Sequence, residues 1–215
     1  MFDKFAPSYL PINLYLLMNS LFAGYNFILA SQSPRRQYLL NELGLRYTIR
    51  SHEIDEIYPD NLKRGEIALY LSSLKADAFS EEELAADSIL ITADTIVWMD
   101  NRCIGKPENE NEAIRMLTKL SGRMHSVYTG VCLRSASKRR LFEVRTDVYF
   151  KLLLPDEIEH YVQEYKPLDK AGAYGIQEWI GYIGVSRIDG CYFNVMGLPV
   201  QRLYEEIGLF IADLK

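Results

Sequence analysis

Two serines and two arginines stand together in the segment from Ser31 to Arg36, where a predicted strand gives way to a predicted helix. Ser33 is a natural N-cap residue, and Pro34 suits the first helical position. The arginines, including Arg35, then fall in the first turn, where the helix dipole disfavours each cation by roughly 0.3–1 kcal/mol. Free backbone N–H groups, hydroxyls and two guanidinium groups would form a phosphate-binding site. A capped surface helix with solvated arginines explains the same residues equally well.

A single carboxylate interrupts an apolar strand pattern, because Asp94 lies within the run from Ile89 to Trp98. Burying a carboxylate is costly unless a cation, a metal ion or several donors compensate. One interpretation is therefore a catalytic base or metal ligand at a kink of the strand. The alternative is a β-bulge at Asp94 and Thr95, in which the carboxylate caps its own backbone.

Two lysines could serve the same site. Lys75 stands near the end of an amphipathic helix pattern, and Lys106 stands in a Gly-Lys-Pro sequence. Each is also of a type that is usually solvated. An acidic loop carries Glu53, Asp55 and Glu56, which could supply an oxygen ligand for a metal ion or be solvated in the same way.

A stretch of small residues from Asp169 to Gly175 precedes Gln177. Such a loop lets the backbone approach a ligand closely, and a glutamine amide can recognise a base edge with both a donor and an acceptor. The P-loop pattern, the Gly-rich dinucleotide-binding pattern and the serine nucleophile elbow are all missing from the sequence. P-loop, dinucleotide-binding and serine-hydrolase functions are therefore poorly supported.

The elements that must position these residues alternate between strand and helix patterns, which predicts an α/β or mixed α+β fold. We expect strands near 27–30, 46–50, 88–99, 127–133, 141–153 and 182–188. We expect helices at 34–43, 65–79 and 155–165, and another from about 198. A further helix should begin after an N-cap at Asn109, with Glu112 completing a capping-box-like pair. Its buried face would carry Ala113, Leu117 and Leu120.

The composition fits one domain or one two-lobed domain, since 48% of the 215 residues are hydrophobic and 25% are charged. The net charge of -5 argues against binding to nucleic acid polymers but leaves a small anionic ligand open. Three cysteines without a C-x-x-C pair indicate reduced thiols. Three histidines without metal-binding spacing argue against zinc, so any metal should be a hard ion held by oxygen, such as Mg²⁺ or Mn²⁺.

The N-terminal segment from Leu14 to Phe22 is apolar enough to imitate the core of a signal peptide. Asn13 and Asn19 interrupt it, and it is shorter than the about 20 residues that a spanning helix needs. A misassigned start, with Met18 as the alternative initiator, is the better explanation. We therefore expect residues 1–24 to be an extension, residues 25–215 to form the functional domain, no membrane association and a cytoplasmic location.

Taken together, these segments resemble the Maf family of nucleotide pyrophosphatases, also called septum-formation proteins. The matching text runs in the family's order from about Phe27 to Ile207. It comprises Leu29–Arg36, Ala93–Val97, Gly105–Pro107, Leu120–Gly122 with His125, Asp169–Gln177 and Gly197–Pro199. Several independent matches in order are more specific than any single motif.

The resemblance implies an elongated, two-lobed α/β fold like that of the ITPases, with helices flanking a curved mixed β-sheet. It also implies a divalent metal cation and hydrolysis between the α- and β-phosphates of a nucleoside triphosphate. On this sequence Asp94 would be the proton acceptor that activates water, and Glu56 would join it at the metal. The residues that hold the triphosphate would be Ser31, Arg35, Arg36, Lys75 and Lys106.

The positions that determine specificity in the family correspond to Arg35, Thr95 and Gln177, and all three match the branch that acts on dTTP and UTP. Gln32 and the Glu178-Trp179 pair depart from the family pattern, and the second departure bears on the base pocket. The alternatives are a pyrophosphatase for other or modified nucleotides, and a nucleotide-binding regulator of cell division. The sequence leaves a homodimer open.

Overall fold

A computed structural model describes residues 22–214. Within them seven strands form one sheet: β1 (Asn26–Leu29), β2 (Tyr47–Ile49), β3 (Ser88–Met99), β4 (Arg102–Ile104), β5 (Met124–Arg134), β6 (Arg139–Phe150) and β7 (Val185–Asp189). Seven α-helices belong to the same part of the chain: α1 (Pro34–Glu42), α2 (Gly65–Asp77), α3 (Glu110–Leu120), α4 (Pro155–Tyr165), α5 (Trp179–Gly184), α6 (Tyr192–Met196) and α7 (Val200–Leu214). The predicted mixed α/β fold is confirmed.

The strands lie in the order β2-β1-β3-β5-β6-β7, and β4 pairs with β3. β1 is parallel to both β2 and β3, because helical connections carry the chain back across the sheet. The remaining pairs are antiparallel. β3 lies at the centre and is buried along nearly its whole length, which is why its sequence reads as a continuous apolar run.

The two faces of β3 pack against different helices. Ile89, Ile91 and Ala93 belong to the main core, which also contains buried residues of α3, α4 and α7. On the other face, Ile96 packs against Ile67 and the neighbouring apolar residues of α2. Because side chains alternate across a strand, Asp94 lies on the face that α2 covers.

Several local predictions are confirmed by hydrogen bonds and backbone angles. Asn109 caps α3 by accepting a 3.0 Å bond from the backbone of Glu112. Asp100 and Asn101 have φ angles of 52° and 58°, as a tight turn between β3 and β4 requires. Ser33 stands at the N-cap of α1 ahead of Pro34, but its side chain makes no capping bond.

The predicted strand over 182–188 is wrong in its first part, because residues from Trp179 to Gly184 form α5 and β7 begins only at Val185. Ile180 and Gly184 are buried at helical spacing, so the apolar residues follow a period near 3.6 rather than 2. The sequence patterns also missed β4 and α6, which are only three and five residues long.

Most of the predicted N-terminal extension, including Met18, lies outside the described residues. Phe22 is buried and contacts Phe27 and Tyr204, with ring centroids 5.8 and 5.7 Å apart. No helix within residues 22–214 is long and apolar enough to cross a bilayer.

Candidate active site

A cleft of about 830 Å³ lies at the carboxyl end of β1. β1 pairs with β3 only as far as Ile91, and β4 pairs with β3 from Val97 onward. In the described part of the chain no strand covers this edge of β3 between those two points. The cleft therefore opens where the parallel strand ends, the position at which open α/β sheets commonly bind ligands.

This cleft brings together every site residue that the sequence predicted. They come from six separate regions of the chain, and all of them line the cleft: Ser31, Arg35, Arg36, Glu56, Lys75, Asp94, Thr95, Lys106 and Gln177.

Lys75 pairs with two carboxylates in the cleft. Its Nζ lies 2.5 Å from Oδ1 of Asp94 and 2.7 Å from Oε1 of Glu56. The side chain of Asp94 is only 10% exposed, whereas that of Glu56 is 43% exposed. The ammonium group of Lys75 therefore lies within the candidate site. The alternative interpretation, in which Lys75 is an ordinary solvated side chain, is wrong.

The two carboxylates differ in their proton affinity. Burial raises the pKa of Asp94, although Lys75 and Arg36 act against the shift. At Glu56 partial burial also acts to raise the pKa, but the hydrogen bond and charge of Lys75 outweigh it and lower the pKa. Carboxylates whose pKa values are pushed apart suit different roles: Asp94 is the better proton acceptor, and Glu56 stays ionised.

The close approach of α2 to the sheet is what puts Lys75 beside Asp94. Gly130 of β5 lies opposite Asp94, and a Cβ atom there would be 2.3 Å from the backbone carbon of Ala68. Only glycine leaves room for the helix backbone at that point. Lys75 follows Ala68 by seven residues, and this spacing puts both on the same face of α2.

The β-bulge interpretation of Asp94 is wrong. Pairing between β3 and β5 runs without a register shift from Leu90 to Trp98. Thr95 instead uses its hydroxyl on the opposite face, where it lies 2.9 Å from the hydroxyl of Thr129. Asp94 is therefore part of a regular strand. Its carboxylate pairs with Lys75 and lines the cleft.

Arg36 is fixed in the cleft by three groups. Its Nε donates to the carbonyl of Gly197 at 2.8 Å, and its terminal nitrogens lie 3.2 Å from Oγ1 of Thr95 and 3.3 Å from Oγ of Ser31. Ser31 is itself buried and accepts a bond from the backbone of Ser33. The guanidinium is therefore positioned before any ligand arrives.

Arg35 is held less tightly, by one 3.0 Å bond to Asp169. Asp169 also binds Lys170, a buried lysine of the cleft whose Nζ lies 2.7 Å away. Lys106 contributes to the lowered pKa of Glu56, so its charge also acts on the cleft. The cleft thus brings five Lys and Arg side chains together, and five carboxylates line it with them. A local group of cations can bind an anionic ligand even in an acidic protein.

Gln177 lines the cleft, and its Oε1 is buried without a hydrogen-bond partner among residues 22–214. Buried polar atoms are rarely left unpaired, and the other two such side-chain atoms in the described part of the chain are Nδ1 of His125 and Oδ1 of Asn194. Of these three residues Gln177 alone lines the cleft, which makes it the candidate for contact with a ligand. Gln32, one of the two departures, donates to Ser51 at 3.0 Å beside the cleft. Glu178, the other, binds Tyr161 and Lys170.

Sequence reasoning missed Lys170, which lines the cleft, and Thr129, which does not line it but bonds to Thr95. Lys170 stood within the matched segment Asp169–Gln177, and its burial beside two acids is what singles it out. Thr129 is fully buried and bonds to Thr95, but a threonine in a strand pattern carries no signal of that kind.

Residues 26–210 match the family described as Maf-like protein. The chain belongs to the Maf family. Five of the six motifs that this Maf chain shares with the family contribute residues to the cleft, and Leu120–Gly122 with His125 does not line it.

Three curated relatives of this Maf chain carry the name dTTP/UTP pyrophosphatase. The relative from Phocaeicola vulgatus is 54% identical over 184 residues, which cover 85% of this chain and 95% of the relative. The relative from Bacteroides thetaiotaomicron is 50% identical with the same coverage. The relative from Parabacteroides distasonis is 50% identical over 86% of this chain and 96% of its own.

Among solved structures, the Staphylococcus aureus Ham1 protein aligns with 88% of this chain and 100% of its own. The TM-score is 0.42 and the identity is 12%, so this likeness is too distant to bear on the function of the Maf chain.

Proposed function

We propose that this Maf-family chain hydrolyses dTTP and UTP to the nucleoside monophosphate and pyrophosphate. The observation that carries the proposal is the arrangement at the open edge of β3. There a buried carboxylate, Asp94, lies beside Lys75 and within one cleft with Arg36 and Lys106. The names of the curated relatives support the same activity.

The cations would bind and neutralise the triphosphate. Enzymes that attack phosphoryl groups act mainly by positioning and by offsetting negative charge. Arg36 is already oriented by Ser31, Thr95 and Gly197, so little order is lost when it binds a phosphate. Arg35 and Lys106 would contact the more exposed phosphates.

Asp94 would accept a proton from the water that attacks the α-phosphorus. Its raised pKa, caused by burial, makes it a stronger base than an exposed aspartate. Lys75 would hold the carboxylate in place and lie next to the phosphates. The bond that breaks joins the α-phosphorus to the oxygen that bridges the α- and β-phosphates, and this oxygen leaves with the electron pair as part of pyrophosphate.

The carboxylates of Glu56 and Asp94 fit a divalent cation, Mg²⁺ or Mn²⁺. Their oxygens converge on one cation already, that of Lys75. No group of three or more His, Cys, Asp or Glu side chains within residues 22–214 forms a complete metal site. Two carboxylates completed by substrate phosphates and water are typical of Mg²⁺ sites. A bound cation would add charge neutralisation at the phosphates.

Gln177 would recognise the base. UTP and dTTP share an O4 acceptor and an N3–H donor, and an amide can pair with both. Gln177 lines the cleft, and its buried Oε1 has no hydrogen-bond partner among residues 22–214, so this acceptor is not committed to another group. A site built on such bonds discriminates strongly, because a mispaired base leaves buried groups unsatisfied.

We include a cytoplasmic location in the proposal. Cys103, Cys132 and Cys191 are all free thiols, which fits a reducing compartment.

The test is to rank kcat/KM for the eight common ribo- and deoxyribonucleoside triphosphates with Mg²⁺ and with Mn²⁺, by detecting released pyrophosphate. UTP and dTTP should lead the ranking. A purine nucleotide at its head would contradict the proposed specificity, and orthophosphate as the first product would contradict cleavage at the α-phosphorus.

A further inference from the structure

Gln177 occupies the third position of a tight turn from Gly175 to Glu178. The turn is closed by a 3.0 Å bond from the backbone N–H of Glu178 to the carbonyl of Gly175. Any motion of this turn therefore moves the amide of Gln177, which lines the cleft.

The hydroxyl of Tyr161 joins the two ends of this turn. Tyr161 lies on α4 and is completely buried. Its oxygen accepts a 3.0 Å bond from the backbone N–H of Gly175, and its hydrogen is donated to the carboxylate of Glu178. We call this pair of side chains, Tyr161 and Glu178, the tyrosine clamp.

The direction of these bonds is fixed by chemistry. A backbone N–H can only donate, so the hydroxyl hydrogen of Tyr161 is free for Glu178. Burial, and after it the bond to Glu178, raise the pKa of Tyr161, so the hydroxyl remains protonated. In the clamp, the hydroxyl of Tyr161 therefore always accepts from Gly175 and donates to Glu178.

Glu178 is also held from its other side. Its Oε1 lies 3.2 Å from Nζ of the buried Lys170, which binds Asp169. Asp169 in turn binds Arg35. A continuous series of ion pairs therefore connects the turn that carries Gln177 to a cation of the phosphate-binding side.

The amide of Gln177 packs closely against the start of its own turn. A Cβ atom at Gly175 would lie 2.8 Å from Nε2 of Gln177 and 2.8 Å from the carboxyl carbon of Glu178. The turn therefore limits where the amide can sit. This limit matters because an amide that is free to rotate can pair with either pyrimidine edge. One orientation matches O4 and N3–H of uracil, and the opposite orientation matches the amino group and N3 of cytosine.

We propose that Tyr161 and Glu178 are positioning residues that set the preference for uracil and thymine over cytosine, by fixing the turn that carries Gln177. The proposal rests on the proposed role of Gln177 in base recognition. It assigns a function to Glu178, one of the residues that depart from the family pattern.

The test is the ratio of kcat/KM for UTP to kcat/KM for CTP in Tyr161→Phe. The substitution removes both hydrogen bonds of the hydroxyl, each worth about 0.5–1.5 kcal/mol, so it should lower this ratio by about twofold to tenfold or more. A variant that is merely less well folded lowers both values equally, so the ratio separates positioning from stability. An unchanged ratio in Tyr161→Phe would overturn the proposal.

Tyr165→Phe is the matched control. Tyr165 lies four residues further along α4 and stacks on Tyr161 with ring centroids 5.0 Å apart, but its side chain is half-exposed. Its UTP to CTP ratio should equal that of the wild type. Glu178→Ala should lower the ratio, and Glu178→Gln, which keeps an acceptor for Tyr161, should lower it less.

A binding measurement makes the result independent of turnover. Calorimetric titration of α,β-methylene-UTP and α,β-methylene-CTP should show a smaller Kd ratio in Tyr161→Phe than in the wild type. A wild type that prefers UTP and dTTP, with the ratio unchanged in Tyr161→Phe, contradicts the clamp alone. A wild-type ranking headed by a purine contradicts the clamp and the proposed specificity together.

Discussion

The ammonium group of Lys75 lies 2.5 Å from Oδ1 of the buried Asp94, across the interface between α2 and β3. An isolated buried charge is strongly unfavourable, so each of these two groups reduces the free-energy cost of burying the other. Because Glu56 binds the same ammonium group from the cleft side, the pair is built into the site rather than into the core.

The first prediction concerns Asp94→Asn, which should abolish turnover and leave the fold intact. Removal of a general base typically lowers the rate by about 10²–10⁴-fold. Lys75 keeps Glu56 as a partner, so the cation is not left alone. Pyrophosphate release and far-UV circular dichroism should be measured together. Near-normal release by the folded variant would show that Asp94 is not the base.

Asp100→Asn is a matched control for that substitution. Asp100 follows the end of β3 and is exposed, and asparagine tolerates its positive φ of 52°. Its bonds to Arg123 are on the surface, where ion pairs contribute little. The control should retain wild-type turnover.

The second prediction concerns Arg36→Lys, which keeps the charge but loses the planar guanidinium. Lysine cannot reach Gly197, Thr95 and Ser31 together, so the carbonyl of Gly197 loses its 2.8 Å donor. We expect kcat/KM to fall by about tenfold or more, and the free energy of unfolding to fall by about 1–3 kcal/mol. Steady-state kinetics and urea unfolding measure the two effects. Equal activity would mean that Arg36 acts only as a point charge.

The third prediction concerns pH and His125. Its ring is buried, and burial lowers its pKa from 6.5 to about 4, with Asp147 opposing the shift. His125 is therefore protonated below about pH 6.5 in the unfolded chain, but only below about pH 4 in the folded chain. Stability from this group is complete above pH 6.5 and is lost as the pH falls, by about 1.4 kcal/mol per unit.

Urea unfolding at pH 7 and pH 5 checks this prediction. The difference between the two pH values should be smaller in His125→Gln than in the wild type, by roughly 2 kcal/mol. His160→Gln, at an exposed position of α4, is the control and should leave the difference unchanged. If His125→Gln also leaves it unchanged, His125 does not carry the acid sensitivity.

The fourth prediction concerns the N-terminus. A chain that begins at Met18 should keep full activity, because every proposed site residue follows it and Phe22, which packs on Phe27 and Tyr204, is retained. Comparison of kcat/KM and thermal midpoint with those of the full-length chain tests this. A further deletion through Phe22 should lower the thermal midpoint, because it removes a buried aromatic ring. Lost activity in the chain from Met18 would show that the residues before it contribute to the fold.

The local structure and the residue types of the candidate site could be predicted from the sequence alone. Helical and strand periodicity gave β3 its bounds from Ser88 to Met99, and the cap of α3 at Asn109 followed from side chains three residues apart. These features depend on interactions between near neighbours in the chain, so they can be recognised without the fold. The family motifs supplied most of the candidate site residues for the same reason, since each motif is a short continuous segment, whereas Glu56 and Lys75 lie outside those motifs.

The contacts between those residues could not be predicted in this way, because they depend on the packing of the fold. Whether Asp94 sat in a bulge or beside a cation depended on the unbroken register with β5 and on the glycine at 130 that admits α2. In the sequence, Tyr161 resembles an ordinary core residue of α4. In the fold, its hydroxyl bonds to both ends of the turn that carries Gln177. Such contacts join residues that are distant along the chain, and their geometry is set by how helices pack on the sheet.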